Sequence, residues 1–356
     1  MRRKSLSFLK AILEAPSPSG YEQPVQRLWR DYVRPFADEV KTDAHGNTIG
    51  VVNSGAKIKV MLAGHCDEIG FIINYITDDG FLHFLPLGGH DVGIIPGRRV
   101  LIHTADGPIK GVIGKRAIHL MSPEERSKPD PKIEKYWIDI AVKDKKEAES
   151  LVQIGDPVTY PVAFEELRNN CAISRAFDDK AGSFIVAETL RILSEKKSEL
   201  NVAVYGVSTV QEEIGLRGAT TSAFGVDPDV GVAVDVNHAT DSPDMDKRKV
   251  GDIKIGGGPV FSRGPNISPL VFDRLVAAAK AKKIAYQVDA QPRGTGTDAN
   301  AIQLTRAGVA TGLVSIPLRY MHTPVELISL DDVESIAKTF AQFCLDIEAD
   351  ADFSLS

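Results

Sequence analysis

The sequence predicts an α/β protein with a largely parallel sheet, interrupted by a small antiparallel β-barrel. Three observations carry this. Short apolar, β-branched runs alternate with stretches of helical periodicity, which is the pattern of a sheet covered by helices on both faces. Between about 70 and 164 the pattern changes to short alternating strands and hairpin turns. The α/β pattern then resumes and continues to the end.

The chain has 356 residues, beyond the roughly 250–300 at which a single hydrophobic core stops growing. One α/β domain formed by 1–68 and 165–356, with 69–164 inserted, is the economical division. Helical periodicity covers 5–15, 22–36, 180–196, 268–283 and 331–348, the last opening on the acidic turn "DDVES" that suits a helix N-terminus. The first of these contains Lys10 and Glu14, so the basic start "MRRK" leads into an amphipathic helix and not an apolar signal core. Strands are expected at "IKVMLAG" (58–64), "NVAVYGV" (201–207), "VGVAVDV" (230–236) and "ATGLVSIP" (310–317). In the insert, "ITDDGFLHF" and "LIHTADGPIKGVI" read as hairpins, and the polar stretch 122–135 is expected at the surface.

Composition narrows the function. Hydrophobic residues make up 43% and charged residues 25%, ordinary for a soluble globular chain, and no run approaches the roughly 18 apolar residues of a membrane span. The net charge of −6 comes without a basic stripe, which argues against nucleic acid and anionic membranes as partners. Cys66, Cys171 and Cys344 are scattered and odd in number, which fits a reducing cytoplasm better than a disulfide framework.

Chemistry concentrates at the strand ends. "VMLAGHCDEIG" places His65 and Asp67 just past one strand, "STVQEEIG" places Glu212 and Glu213 past a second, and "VAVDVNH" places Asp235 near the end of a third. Parallel α/β sheets bind ligands there. "SRAFDDKAG" adds Asp178 and Asp179 at a helix entrance, and "RYMHTPVE" adds His322 after the last strand. Each has an ordinary reading taken singly. One aspartate could cap the following helix, His65 could be a packed histidine, and Asp235 could open a loop. Their concurrence is harder to explain that way, because acids are seldom buried unless paired or metal-bound.

A mixed histidine and carboxylate set suits zinc, cobalt or manganese better than calcium. Two histidines and three acids can serve two ions, with a carboxylate bridging them, and Asp178 is the natural bridge. Neighbouring residues of an extended chain point in opposite directions, so one of Glu212 and Glu213 is expected to bind metal and the other the water. A carboxylate base contributes only about 10²–10⁴-fold, so metal must supply the larger share of the rate.

The motifs "PSPSGYE" (16–22), "AGHCDEIGF" (63–71), "RAFDDKAG" (175–182), "VQEEIGLRGA" (210–219), "VAVDV" (232–236), "GTGTDANAI" (294–302) and "RYMHTPVE" (319–326) occur in the order found in one family. Across essentially its whole length the chain resembles the dinuclear metallo-aminopeptidases of the tetrahedral, or deblocking, type, some of whose members are labelled endoglucanase. The resemblance implies a phosphorylase/hydrolase-like metallopeptidase domain carrying two divalent ions per subunit, zinc above all, with cobalt or manganese as alternatives. One ion would be held by His65, Glu213 and Asp178, the other by Asp235, His322 and the same Asp178. Glu212 would be the general acid/base, and Asp67 would orient the His65 ring. It also implies a barrel used in dimerisation and lid formation, and dimer-based homo-oligomers up to dodecamers.

The expected activity is removal of the N-terminal residue from peptides with a free N-terminus, by a metal-activated water and the Glu212 base. Alternatives are a dinuclear acyl-amino-acid hydrolase or carboxypeptidase, a glycosidase, or a non-catalytic scaffold. Adjacent Glu212 and Glu213 make a poor glycosidase pair, since such carboxyls flank the sugar about 5–9.5 Å apart. His238 is expected in a loop. In "GTGTDAN", Thr297 or Asp298 is expected to cap the following helix, to contact substrate, or both. The residues of the specificity pocket are not legible in the sequence.

Overall fold

The predicted apolar runs form the centre of an eleven-stranded mixed sheet. A computed structural model describes residues 1–127 and 131–355. In it, strands Ala203–Thr209, Lys59–His65, Val230–His238 and Ala310–Arg319 lie side by side in that order, each pair parallel. Almost every residue of these four strands is buried, as expected where both faces of a parallel sheet are covered.

Antiparallel strands form the margins. Glu39–Thr42 and Thr48–Val52 lie on one side, and Glu326–Ser329, Cys171–Ser174 and Glu165–Glu166 on the other. Val260–Arg263 branches from Ala310–Arg319 and pairs with Gln287–Ala290. The sequence reading contains none of these seven, because they are short and several are largely exposed, as in Glu39–Thr42.

Helices Arg3–Glu14, Gln23–Val33, Phe177–Ser194, Pro269–Ala281 and Leu330–Leu345 form where the periodicity predicts, their ends shifted by at most three residues. The last is capped by Ser329, whose hydroxyl accepts the Asp331 N–H. Phe177–Ser194 is buried along most of its length and approaches the sheet very closely. A Cβ on Gly64 would lie 2.6 Å from the Gly182 carbonyl carbon, so only glycine fits at this crossing. On the other face, Gly231 gives the same access to Ile302 in helix Asp298–Gln303.

Compact units divide the chain into Met1–Glu68 with Ala163–Met321 and Val325–Ser356, and Ile69–Val162 with His322–Pro324. The second contains a closed antiparallel barrel of six strands in the order Gly70–Ile76, Leu82–Leu87, Trp137–Asp139, Gly107–Gly114, Arg99–Thr104 and Pro157–Thr159. Its core includes Phe71, Ile73, Leu82, Phe84, Ile102, Ile138 and Val158. Within the polar stretch 122–135, Pro123–Ser127 forms a short exposed helix, while 128–130 fall outside the described residues. Among the described residues no helix is long and apolar enough to cross a membrane.

Candidate metal centre

His65 is the last residue of its strand and lies opposite Thr209 of the parallel neighbour. Its ring is buried. Nδ1 is 3.1 Å from the Asp67 carbonyl oxygen and 3.4 Å from Asp67 Oδ1. Both are acceptors, so Nδ1 carries a proton, which leaves Nε2, facing the carboxylates, as the nitrogen that a cation could take. Asp178 Oδ1 lies 3.4 Å and Glu212 Oε2 3.8 Å from Nε2.

Glu212 and Glu213 lie past the strand, as the sequence predicts, but not in the extended chain expected there. The strand ends at Thr209, and Gln211 takes a left-handed conformation with φ of 55°. The Glu212 carbonyl then accepts the N–H groups of Gly215 and Leu216, so the pair sits on a turn. It is this turn, rather than strand alternation, that separates the two side chains. Asp67 fixes the turn from below: Oδ1 accepts the Glu212 N–H at 3.0 Å, and Oδ2 accepts the Glu213 N–H at 3.1 Å and the Ser19 hydroxyl at 2.7 Å.

Asp178 and Asp179 divide two tasks. Both fall within the first turn of Phe177–Ser194 with non-helical dihedrals. Asp179 behaves as the cap, accepting the Gly182 N–H at 3.0 Å, and its other oxygen accepts the His65 backbone N–H at 3.2 Å. The Asp178 N–H donates to Glu326 Oε2 at 3.0 Å. Asp235 lies within strand Val230–His238, buried, and accepts the Val236 N–H.

Two sets of ligand atoms, each within 4.8 Å of one another, converge on this point: His65, Asp178 and Glu213, and His65, Asp179 and Asp235. His322 belongs to the second unit, with φ of 59°. There its Nδ1 lies 3.1 Å from where a Cβ on Gly89 would stand. His238 is the exposed last residue of a strand and not a loop residue.

The electrostatics are those of crowded acids. Burial pushes Glu212 up to about 10, with Asp235 and Asp298 adding to the rise against the pull of His65. Burial likewise raises Asp235 to about 7 and Asp298 to about 6. Desolvation holds Glu213, half-buried beside Asp178, and Asp179, buried beside Asp235, well above the carboxylate range. Burial alone would neutralise His65, but Glu212, Asp178 and Asp67 outweigh it and hold the imidazole pKa well above its usual value. The cations nearest in sequence are engaged elsewhere, since Lys180 and Arg175 each bond to the buried Glu68 at 2.8 Å.

Sequence reasoning missed Asp298 as part of this cluster and missed Glu326 entirely. Thr297 makes no side-chain cap. Asp298 Oδ2 instead takes the Thr209 hydroxyl at 2.5 Å, and buried Oδ1 has no hydrogen-bond partner. The signal available was the threonine–aspartate pair after a glycine turn, which cannot tell a cap from a long-range contact.

Such a pocket of buried acids around one imidazole is suited to divalent cations. The family profile described as M42 glutamyl aminopeptidase matches residues 46–339. Lysyl aminopeptidase of Pyrococcus furiosus is 37% identical over 93% of this chain and 94% of its own length. The crystal structure of a TET aminopeptidase from the marine sediment archaeon Thaumarchaeota archaeon SCGC AB-539-E09 superposes with a TM-score of 0.93, at 33% identity, covering 97% of each chain. The Pyrococcus horikoshii TET1 peptidase, described as assembling into a tetrahedron or a large octahedral shell, gives 0.85 at 31% identity over 96% of this chain and 100% of that one. The chain is thus a peptidase, and it belongs to the M42 glutamyl aminopeptidase family.

Proposed function

We propose that the protein removes the N-terminal residue from peptides with a free α-amino group, using two divalent ions. The observation that carries this is the convergence of two ligand sets on His65 among acids whose charge burial suppresses. The residues fit such ions: an imidazole whose Nε2 faces the acids, several buried carboxylates, and the nearby Lys180 and Arg175 bound to Glu68. His65, Asp178 and Glu213 would hold one ion, and Asp178, Asp235 and His322 the other. Asp179 remains the cap and backbone anchor.

When bound, divalent ions acidify a water and polarise the scissile carbonyl. The rest falls to side chains. Glu212 takes the water's proton on a carboxylate oxygen and hands it to the departing amine nitrogen, the general acid/base role. Asp67 orients the His65 ring through its carbonyl and holds the Glu212 backbone through its carboxylate, so one residue sets both a ligand and the base. The buried acids offer a negative environment for the substrate's ammonium group.

The family description and the Pyrococcus furiosus relative name different side chains, glutamyl and lysyl, so side-chain preference is left to measurement. Zinc is the proposed native metal, with cobalt and manganese as alternatives that the same donors accept. We further propose a homo-oligomer, as the Pyrococcus horikoshii peptidase forms, with the barrel unit serving dimerisation and lid formation, and a reducing cytoplasmic setting that suits three free cysteines.

A panel of aminoacyl amides tests the reading, offered to chelated enzyme and to enzyme reloaded with each metal. Free-amine substrates should be hydrolysed only by reloaded enzyme. Equal rates on N-acetylated counterparts would overturn the aminopeptidase reading in favour of an acyl-amino-acid hydrolase.

A further inference from the structure

A separate cavity of about 260 Å³ opens in the α/β unit between helix Gln23–Val33 and the turn following Thr42, lined in part by Glu22, Gln26, Arg27, Arg30, His45 and Gln211. Three of these residues carry a buried polar atom without a hydrogen-bond partner: Gln26 Oε1, Arg30 Nε and His45 Nε2. Buried polar atoms are nearly always satisfied, so three around one cavity mark a place that an occupant completes.

Their chemistry restricts the occupant. Gln26 is 6% exposed, and its Nε2 donates to the Ser208 carbonyl at 2.8 Å. That bond fixes the amide orientation, so the orphan Oε1 is an acceptor awaiting an N–H or O–H. Glu22 is also buried, and its Oε1 accepts the Gly20 and Gln211 N–H groups, at 2.6 and 3.2 Å. These two residues call for a donor, best a positive one. On the same cavity Arg30 presents an unused Nε–H, with Asp31 no nearer than 3.7 Å, and Arg27 adds an exposed guanidinium. Guanidinium groups call for a carboxylate. A simple anion such as phosphate would offer Gln26 Oε1 and Glu22 no cationic donor, and a simple cation would face the arginines with like charge.

We infer that this cavity binds a small zwitterion, an α-amino acid, with its carboxylate at Arg27 and Arg30 and its ammonium at Gln26 Oε1 and Glu22. The binding argument is independent of the enzyme's activity. Its further meaning rests on the proposed reaction, which releases free amino acids. Glu22 holds the N–H of Gln211, the residue before Glu212, so an occupant would sit one residue from the catalytic turn.

The test is to soak crystals of the metal-loaded enzyme with L-selenomethionine and locate the selenium by its anomalous signal. The expected result is selenium in the cavity, with the carboxylate on the arginines. Water alone in the cavity, or the amino acid only at the metal centre, would overturn the inference. In solution, Arg27→Ala, a change at an exposed residue, should weaken L-methionine binding at this site by about tenfold while leaving the KM for peptide amides unchanged. N-acetylmethionine, lacking the ammonium, should not fill the cavity. Undiminished binding by Arg27→Ala, or equal occupancy by the acetylated analogue, would count against the site. An amino acid found there in an enzyme that hydrolyses no free-amine substrate would sustain the site and sink the aminopeptidase reading.

Discussion

The carboxylate of Asp67 accepts the backbone N–H of Glu212 at 3.0 Å, while the same residue adjoins Nδ1 of His65. The proposed metal ligand and general base are therefore both held by one residue. Asp67→Asn would replace one of two acceptor oxygens with a donor facing backbone N–H groups or the Ser19 hydroxyl. Metal affinity should fall about 10–100-fold, and kcat should fall with it. Competition against a chelating dye measures the first, and an affinity within twofold of wild type would refute the orienting role.

Glu212→Gln keeps the shape of the site but removes the proton carrier. Full metal content with kcat reduced about 10²–10⁴-fold is expected. Metal analysis alongside steady-state kinetics checks it, and wild-type turnover would remove Glu212 from the mechanism.

Chelation should make stability fall as pH rises. In the metal-free chain Asp298, Asp235 and Glu212 have pKa values of about 6, 7 and 10, all above their ordinary ones. Between the ordinary and the raised values the folded state binds more protons than the unfolded, so ΔG of unfolding declines with increasing pH. Cations relieve this by favouring ionised acids. The Tm gap between metal-loaded and chelated enzyme should therefore widen from pH 5.5 to 8.5, buffers chosen at about those values to span the transition. A constant gap would argue against buried acids as ligands.

The buried Glu68 gives a contrasting prediction. Although burial opposes its charge, Arg175 and Lys180 hold it at about 2, below its usual 4.5. A depressed carboxylate contributes stability above the unfolded value and loses it as pH falls through the folded one. Glu68→Gln should be destabilised by about 3–5 kcal/mol at neutral pH, since it leaves two buried cations uncompensated. The deficit should be flat above pH 4.5 and shrink towards pH 2. Denaturant unfolding across that range decides it.

The central strands and the acids at their ends were legible because both are local signals: an apolar run, then a charge. The margins were not, since Glu39–Thr42 and Glu165–Glu166 are polar strands formed by tertiary pairing. Nor was the turn carrying Glu212 and Glu213, which depends on Gln211 turning left-handed and on a carboxylate from another strand end. The double aspartate suggested one cap and one ligand, and hydrogen bonding assigns the cap to Asp179. Asp298 reads as a cap or a substrate contact, and its bond to Thr209 was not legible because that partner lies 89 residues away.

The contact of Gly64 with Gly182 has a consequence for durability. His65 follows the first glycine, and Asp178 and Asp179 precede the second, so the gap between the two ligand-bearing segments is gauged by main chain against main chain. Side-chain repacking elsewhere in the core leaves that gauge untouched. The calibre of the proposed ion seat thus depends on two glycines that tolerate no side chain.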